Sequence, residues 1–157
     1  MKKIFLSVAF ATTLLVQHAF AQESPKTTAQ TFLTSYYAIK DALVSGNPGA
    51  TAANAAEFVK ALNATDEQIV KKDTRTALLN DAGAISQTKD IKLQREKFIS
   101  LSDNMVALAK SSKLSADPVY QQYCPMKKAS WLSSNKAIKN PYYGNAMLTC
   151  GSIKETL

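Results

Sequence analysis

The chain has 157 residues and a formal net charge of +7, and its length suits one domain with a hydrophobic core. Its basic residues are scattered and form no long run, which argues against a nucleic-acid-binding protein. The single histidine, His18, lies in a segment that we expect to be removed, so the remaining protein has no imidazole for acid–base catalysis or zinc binding.

The first residues have the features of an export signal. Two lysines stand at positions 2 and 3, an apolar stretch follows at 4–16, and Ala-Phe-Ala at 19–21 matches a cleavage site. The apolar stretch is shorter than the roughly 20 residues that a membrane-spanning helix needs. We therefore predict that residues 1–21 are a cleaved signal peptide, and that residues 22–157 form a single periplasmic domain without membrane insertion.

Apolar spacing and end signals predict the first two helices. One face of the first helix contains Phe32, Tyr36, Ile39 and Leu43. Ser24-Pro25 resembles a helix start, and Gly46 is placed to end this helix. Asn47-Pro48 repeats the start signal for a second helix. The smaller apolar face of this second helix contains Ala55, Val59 and Leu62.

Two further helices complete the predicted bundle, which occupies residues 22–112. The third is predicted to begin at the capping-box sequence Thr-Asp-Glu-Gln at 65–68 and to end near Ile85. The fourth begins at Asp90, ends near Ser112 and has an apolar seam that only Gln94 interrupts. That seam contains Ile91, Phe98, Leu101, Met105 and Leu108, and we interpret Met105 as a core residue. Short connections predict a mainly α fold, an antiparallel four-helix bundle.

Residues 117–157 differ in composition from the helical part. Val119 to Tyr123 are rich in strand-forming residues and predict a short strand that leads into Cys124. Trp131 and Leu132 predict a second extended piece, and the Asn-Pro-Tyr-Tyr-Gly sequence at 140–144 is typical of a turn. This irregular or β segment is too small to fold alone, so we expect it to pack on the bundle.

Two sulfur-containing clusters stand out in this C-terminal segment. Cys124 and Met126 are two residues apart, which places them on one side of an extended chain. Met147 and Cys150 are three apart, which places them on one side of a helical turn. Thiolates and thioethers are the ligands that Cu(I) and Ag(I) prefer. Brought together, the four sulfurs would make a soft-metal site that Trp131 and nearby tyrosines could shield from water.

Short motifs along the chain resemble a bacterial family called domain of unknown function 3347. They are Tyr-Cys-Pro-Met at 123–126, Trp-Leu-Ser-Ser at 131–134, Ile-Lys-Asn-Pro-Tyr-Tyr-Gly at 138–144, and Met-Leu-Thr-Cys-Gly at 147–151. The helical sequences at 36–43 and 94–98 are also similar to that family. The resemblance covers nearly all of the predicted mature chain.

This resemblance implies a role in metal handling. Members of the family occur as small exported proteins and as C-terminal extensions of periplasmic adaptor subunits in copper- and silver-type efflux systems. The layout is also similar to heavy-metal-binding domains of copper pumps, but Lys127 stands where those domains have histidine, and the second block has only one cysteine. The resemblance therefore implies a sulfur-only site, with an envelope metal-efflux component as the expected partner.

A disulfide between Cys124 and Cys150 is the alternative to a metal site. Exported proteins with two cysteines commonly bond them, because the periplasm is oxidising. Closing this loop would stabilise the fold by about 3 to 4 kcal/mol in the chain-entropy model. The two interpretations coexist if the bond is reversible, since only the reduced pair can bind a metal.

Three functions are compatible with the sequence alone. The first is periplasmic binding of Cu(I) or Ag(I), accessory to heavy-metal efflux. The second is a non-catalytic, disulfide-stapled interaction module of the cell envelope, whose exposed aromatic segment, including Trp131, Tyr142 and Tyr143, would contact a partner. The alternative for these residues is packing of the C-terminal segment on the bundle, which we favour for Trp131. The third is an enzyme, which we do not expect, because the chain has no phosphate-binding loop, His-Glu metal motif or Cys-x-x-Cys pair.

Overall fold

The computed structural model describes residues 28–157, which form four helices followed by a small sheet. The predicted signal peptide at 1–21 and the Ser24-Pro25 helix start lie outside the described residues. The elements are α1 (Thr28–Val44), α2 (Pro48–Asn63), α3 (Lys72–Ser86), α4 (Ile91–Ser111), β1 (Tyr120–Cys124), β2 (Ala129–Ser133) and β3 (Ser152–Thr156). None of the helices within 28–157 has the length and apolar character that crossing a membrane requires.

The predicted core face of α1 and the predicted start of α2 are confirmed. All four apolar residues predicted for the core face of α1 are fully buried: Phe32, Tyr36, Ile39 and Leu43. The side chain of Asn47 accepts a hydrogen bond of 2.9 Å from the backbone N–H of Ala50, and Pro48 is the first residue of α2. Ala55 and Leu62 are buried between α2 and its neighbours, and small alanine side chains permit a close approach.

The predicted start of α3 is wrong. The residues 65–68 form a turn, and the helix begins only at Lys72. The hydroxyl of Thr65 donates to the carbonyl of Ala61 at the end of α2, so it does not cap a following helix. The carboxylate of Asp66 accepts the N–H of Gln68 at 2.7 Å, which closes a local turn instead of a capping box.

Arg75 holds this longer connection in place. Its guanidinium group donates to the carbonyl oxygens of Leu62, Thr65 and Val70. A single planar cation thus satisfies carbonyl groups at the end of α2 and in the connection. The contact explains how a connection that is not helical remains ordered between two packed helices.

Helix α4 follows the predicted boundaries. The carboxylate of Asp90 caps its first backbone N–H groups, and Phe98, Leu101 and Met105 are fully buried, which confirms Met105 as a core residue. Gln94, the polar residue in the seam, is also fully buried. Its amide nitrogen donates to the carbonyls of Pro48 at 2.9 Å and Thr88 at 2.7 Å. The interruption of the apolar seam therefore ties α4 to the start of α2.

The C-terminal segment forms a three-stranded antiparallel sheet in the order β2-β1-β3. Tyr120 lies opposite Ser133 on one side and Thr156 on the other, so β1 is the central strand. Val119 and Leu157 exchange two backbone hydrogen bonds, which extend the pairing of β1 with β3. The sequence predicted β1 and β2 but not β3, whose side chains are all exposed.

Aromatic rings join the sheet to the bundle. The ring of Tyr36 on α1 stacks on Phe98 of α4 at 5.2 Å, and Phe98 lies 6.1 Å from Tyr142. Tyr142 in turn meets Trp131 of β2 edge to face at 5.9 Å. Buried residues of the helices and the sheet belong to one hydrophobic core. The mainly α fold with a C-terminal β segment packed on it is confirmed.

Candidate metal and thiol site

The structure brings the two predicted cysteines together. Cys124 ends β1 and is fully buried, whereas Cys150 precedes β3 and is half-buried. Their Sγ atoms lie 3.4 Å apart, and neither cysteine is in a disulfide. Met126 lies in the turn between β1 and β2 with 65% of its surface exposed, and Met147 is half-buried at the end of a short 3₁₀ helix. The pair of thiols therefore forms the centre of the site, and the two thioethers belong to its flanking turns.

Each cysteine is fixed by local backbone pairing. Cys124 lies opposite Ala129 in the β1–β2 ladder, directly before the turn at 125–128. Backbone N–H groups of that turn, from Met126 and Lys127, reach the sulfur of Cys124. On the other side, the N–H of Cys150 donates to the carbonyl of Met147 at 3.1 Å. Two separate turns thus deliver one sulfur each to the same place.

Asn140 organises the second turn, a role that was not predicted from the sequence. Its side-chain amide donates to the carbonyl of Cys150 at 2.8 Å, while its side-chain oxygen accepts the N–H of Tyr142 at 2.8 Å. Its own backbone bonds to Leu148 and Gly144. The residue is fully buried. The available signal was the turn-forming Asn-Pro pair, because asparagine side chains commonly bond to the backbone of the turn they occupy.

The glycine after Cys150 permits close packing against Trp131. Gly151 has a φ of +151°, and a Cβ atom there would lie 2.9 Å from the Trp131 ring and 2.9 Å from the carbonyl oxygen of Tyr123. A larger residue would push the Cys150 turn away from the sheet. Trp131 therefore packs directly beside the chain that follows Cys150, on the protein side of the site.

The aromatic residues of this segment are used for packing. Trp131 is fully buried and Tyr142 is 4% exposed, and the hydroxyl of Tyr142 donates to the carbonyl of Ser130. Tyr143 is half-buried, as are Tyr120 and Tyr123 of β1. Trp131 is therefore a core residue, as its packing interpretation predicts, and neither Trp131 nor Tyr142 offers an exposed surface to a partner.

Hydrogen bonds make the two thiols unequal. Burial by itself raises the pKa of the Cys124 thiol, but hydrogen bonds from the backbone of Lys127, from the Cys150 thiol and from the side chain of Asn140 lower the pKa below its ordinary range. The pKa of Cys150 is raised, chiefly because its thiol hydrogen bonds to the Cys124 sulfur. The pair therefore loses its first proton readily, from Cys124, and holds the second more tightly.

The segment around the thiols is basic. Residues 118–157 contain one carboxylate side chain, Glu155, and it pairs with Lys110 of α4 at 2.6 Å. The lysines of this segment are Lys127, Lys128, Lys136, Lys139 and Lys154. Among residues 28–157 no group of three or more His, Cys, Asp or Glu side chains is arranged to hold a metal ion. The donors that converge here are thus sulfur atoms in a positively charged surrounding.

Comparison with known proteins supports a family assignment and leaves the activity open. No curated protein matches the chain, and no solved structure matches it. A family model described as "Protein of unknown function (DUF3347)" matches residues 32–117, which cover the helical bundle except the first four residues of α1 and end before β1. The two cysteines and the C-terminal motifs lie beyond the matched residues. Since the match spans more than half of the sequence, the chain belongs to the DUF3347 family.

Proposed function

We propose that this protein binds a soft monovalent metal ion, Cu(I) or Ag(I), through Cys124 and Cys150. The observation that carries the proposal is the 3.4 Å separation of two free thiol sulfurs delivered by separate turns of the chain. Soft ions prefer thiolate ligands, whereas harder cations prefer oxygen or imidazole ligands. Within residues 28–157 no carboxylate or histidine completes a metal-binding cluster with this sulfur pair, which favours a soft ion.

The surroundings of the pair fit this chemistry. A metal ligand must be a thiolate, and the N–H groups and the amide that lower the pKa of Cys124 stabilise that form. Met126 and Met147 supply thioethers from the two turns that carry the cysteines, so we propose them as supplementary ligands. A bound ion would supply strong metal–sulfur bonds, and the protein would hold it without catalysing a reaction.

The cellular setting of the proposal comes from the predicted signal peptide and the family resemblance. We infer that the protein works in the periplasm, where it accepts the ion and passes it to an envelope metal-efflux component. The proposed role needs no nucleic acid and no membrane insertion. The half-buried Cys150 sulfur, next to the buried Cys124 sulfur, gives the ligands of such a partner a point of access to the ion.

A disulfide-stapled, non-catalytic envelope module is the second candidate, and the same sulfur separation favours it. Oxidation of the pair would remove two protons and two electrons and would join β1 to the segment before β3. A disulfide has no thiolate to offer a metal, so one molecule cannot hold both at once.

The proposal is tested by an anaerobic Cu(I) titration of the reduced protein against a coloured Cu(I) chelator. We expect one equivalent to bind, and Cys124→Ser or Cys150→Ser to weaken binding by at least about tenfold. Met126→Leu and Met147→Leu should weaken it less, while Met105→Leu in the buried core serves as the matched control and should bind normally. Equal binding by wild type and the double serine variant would overturn the proposal.

A further inference from the structure

We propose that Cys150 is a thiolation site for small anionic thiols and disulfides, and that Cys124 is the resolving and leaving thiol of the exchange. The inference rests on the proposed function in one respect: if the thiol pair binds a metal ion, thiol–disulfide exchange opens and closes the metal site. The exchange itself needs no metal. Such exchange would make the two cysteines a reversible dithiol–disulfide pair instead of a permanent structural disulfide.

The first argument is the difference in access to the two sulfurs. Cys124 is fully buried below the hairpin turn, so a nucleophile or a small disulfide cannot approach its sulfur from solvent. Cys150 is half-buried, in irregular backbone before an exposed edge strand. Thiol–disulfide exchange requires direct attack at a sulfur atom, so it must begin at Cys150.

The second argument is that the 3.4 Å sulfur separation permits a complete exchange. In oxidation, Cys150 loses its proton to solvent and attacks a small disulfide, which forms a mixed disulfide and releases one small thiolate. Cys124 then loses its proton, attacks the Cys150 sulfur, forms the internal disulfide and releases the second small thiolate, and the two small thiolates take up the two protons. The protein dithiol is oxidised by two electrons, and the small disulfide is reduced to two thiols.

Reduction follows the same path in reverse. A small thiolate attacks the Cys150 sulfur of the internal disulfide, and Cys124 leaves as a thiolate. Attack falls on the Cys150 sulfur because Cys124 is fully buried, whereas Cys150 is half-buried. A second small thiolate attacks the outer sulfur of the mixed disulfide, which releases Cys150 and a small disulfide.

The charge near the site selects an anionic reagent. Lys127 and Lys128 lie in the turn that follows Cys124, Lys139 precedes Asn140, and Lys154 is on β3. The one carboxylate side chain of residues 118–157, Glu155, is paired with Lys110. Such a surplus of positive charge attracts anions and speeds their arrival at low salt. A negatively charged thiol compound of low molecular weight therefore fits better than a neutral or cationic one.

The position of the mixed disulfide provides the main test. The reduced mature protein is treated with oxidised glutathione, quenched with acid and mapped by peptide mass spectrometry. We expect the adduct on Cys150 in wild type, a persistent adduct on Cys150 in Cys124→Ser, and an adduct on Cys124 that forms at least about tenfold more slowly in Cys150→Ser. Equal adduct formation by the two variants, or a wild-type adduct on Cys124, would overturn the assignment.

Controls separate burial from misfolding. In urea both variants should react equally fast, and circular dichroism should show that both are folded without it. If folded Cys150→Ser reacts as fast in buffer as in urea, Cys124 is accessible and the inference fails. Loss of exchange with intact Cu(I) binding would overturn this inference alone, whereas normal exchange without Cu(I) binding would overturn the proposed function alone.

The charge preference is tested with two probes. Oxidised glutathione should react about tenfold faster than cationic cystamine at low ionic strength, and high salt should reduce this ratio. The Lys127→Gln, Lys128→Gln double variant should also reduce this ratio of rates. Because the same two reagents are used on wild type and variant, their difference in size cannot account for the change. Equal rates for the two probes at low salt would overturn the anionic preference.

Discussion

Two adjacent tyrosines on α1 show how the surroundings of a buried hydroxyl determine its contribution to folding stability. The hydroxyl of Tyr36 bonds to the hydroxyl of Ser102 at 2.7 Å and accepts the backbone N–H of Leu132 at 3.1 Å, so it joins α1, α4 and β2. The buried hydroxyl of Tyr37 has no hydrogen-bond partner among the described residues. Burial raises the pKa of both tyrosines well above the ordinary range.

We expect Tyr36→Phe to destabilise the protein by about 1 to 3 kcal/mol, because it leaves Ser102 and the Leu132 N–H without a buried partner. Tyr37→Phe is the matched control and should change the free energy of unfolding by less than about 0.5 kcal/mol. Urea unfolding monitored by circular dichroism measures both values. A Tyr37→Phe effect equal to that of Tyr36→Phe would contradict the network described for Tyr36.

The two thiols should also titrate separately in the metal-free reduced protein. Hydrogen bonds hold the pKa of Cys124 below its ordinary range, and bonding to Cys124 raises the pKa of Cys150. Ultraviolet thiolate absorbance should therefore rise in two steps, one on each side of the pKa of a free cysteine. The contribution of Cys124 to folding stability should be present above the unfolded thiol's pKa and disappear as the pH falls through the folded pKa. A single step at the ordinary pKa would contradict this pairing.

At the scale of elements, the prediction succeeded where local sequence and tertiary packing agree. Helices α1, α2 and α4 combine an apolar face with end signals, and the structure uses both. The start of α3 failed because the side chains of Thr65 and Asp66 bond to the backbone in ways that do not begin a helix. Strand β3 was missed because its exposed residues have no apolar alternation, and only pairing with β1 makes it a strand.

The candidate site was also predictable from the sequence only in part. Sequence spacing identified the sulfur residues but could not say which of them meet, since the 3.4 Å contact joins residues from separate turns. Asn140 was missed because its role depends on bonds to backbone groups that become neighbours only in the folded segment. Residue type therefore indicates the chemistry, and tertiary structure selects Cys124 and Cys150 as its centre.

Substitution of two glycines by alanine should change stability in opposite directions, because Gly151 lies in the tight turn before β3 and Gly83 lies within α3. Gly151→Ala should destabilise the protein by about 1 to 3 kcal/mol, because the new Cβ would meet Trp131 and the Tyr123 carbonyl at a strained φ. Gly83→Ala in α3 meets no atom within 4 Å and should stabilise the helix by about 0.5 to 1 kcal/mol. Thermal unfolding compares the two variants with wild type. Equal stability of Gly151→Ala and wild type would show that the Cys150 turn is not packed as described.

At the scale of the whole molecule, one core supports both the bundle and the sheet. Because aromatic packing and the Tyr36 network join them, the reduced protein should stay folded. Formation of the Cys124–Cys150 disulfide should then add about 3 to 4 kcal/mol to the free energy of unfolding. The fluorescence of Trp131, the only tryptophan, reports both states during urea unfolding. A reduced protein with an exposed Trp131 would show that the sheet depends on the disulfide.

The central claim is that the paired cysteines bind a soft metal, and X-ray absorption at the copper edge of the Cu(I)-loaded protein tests it most directly. The spectrum reports the elements bound to the ion. We expect sulfur neighbours alone in wild type, and loss of that sulfur signal in the Cys124→Ser, Cys150→Ser double variant. A coordination shell of nitrogen or oxygen atoms in wild type, or an unchanged sulfur shell in the double variant, would contradict the claim.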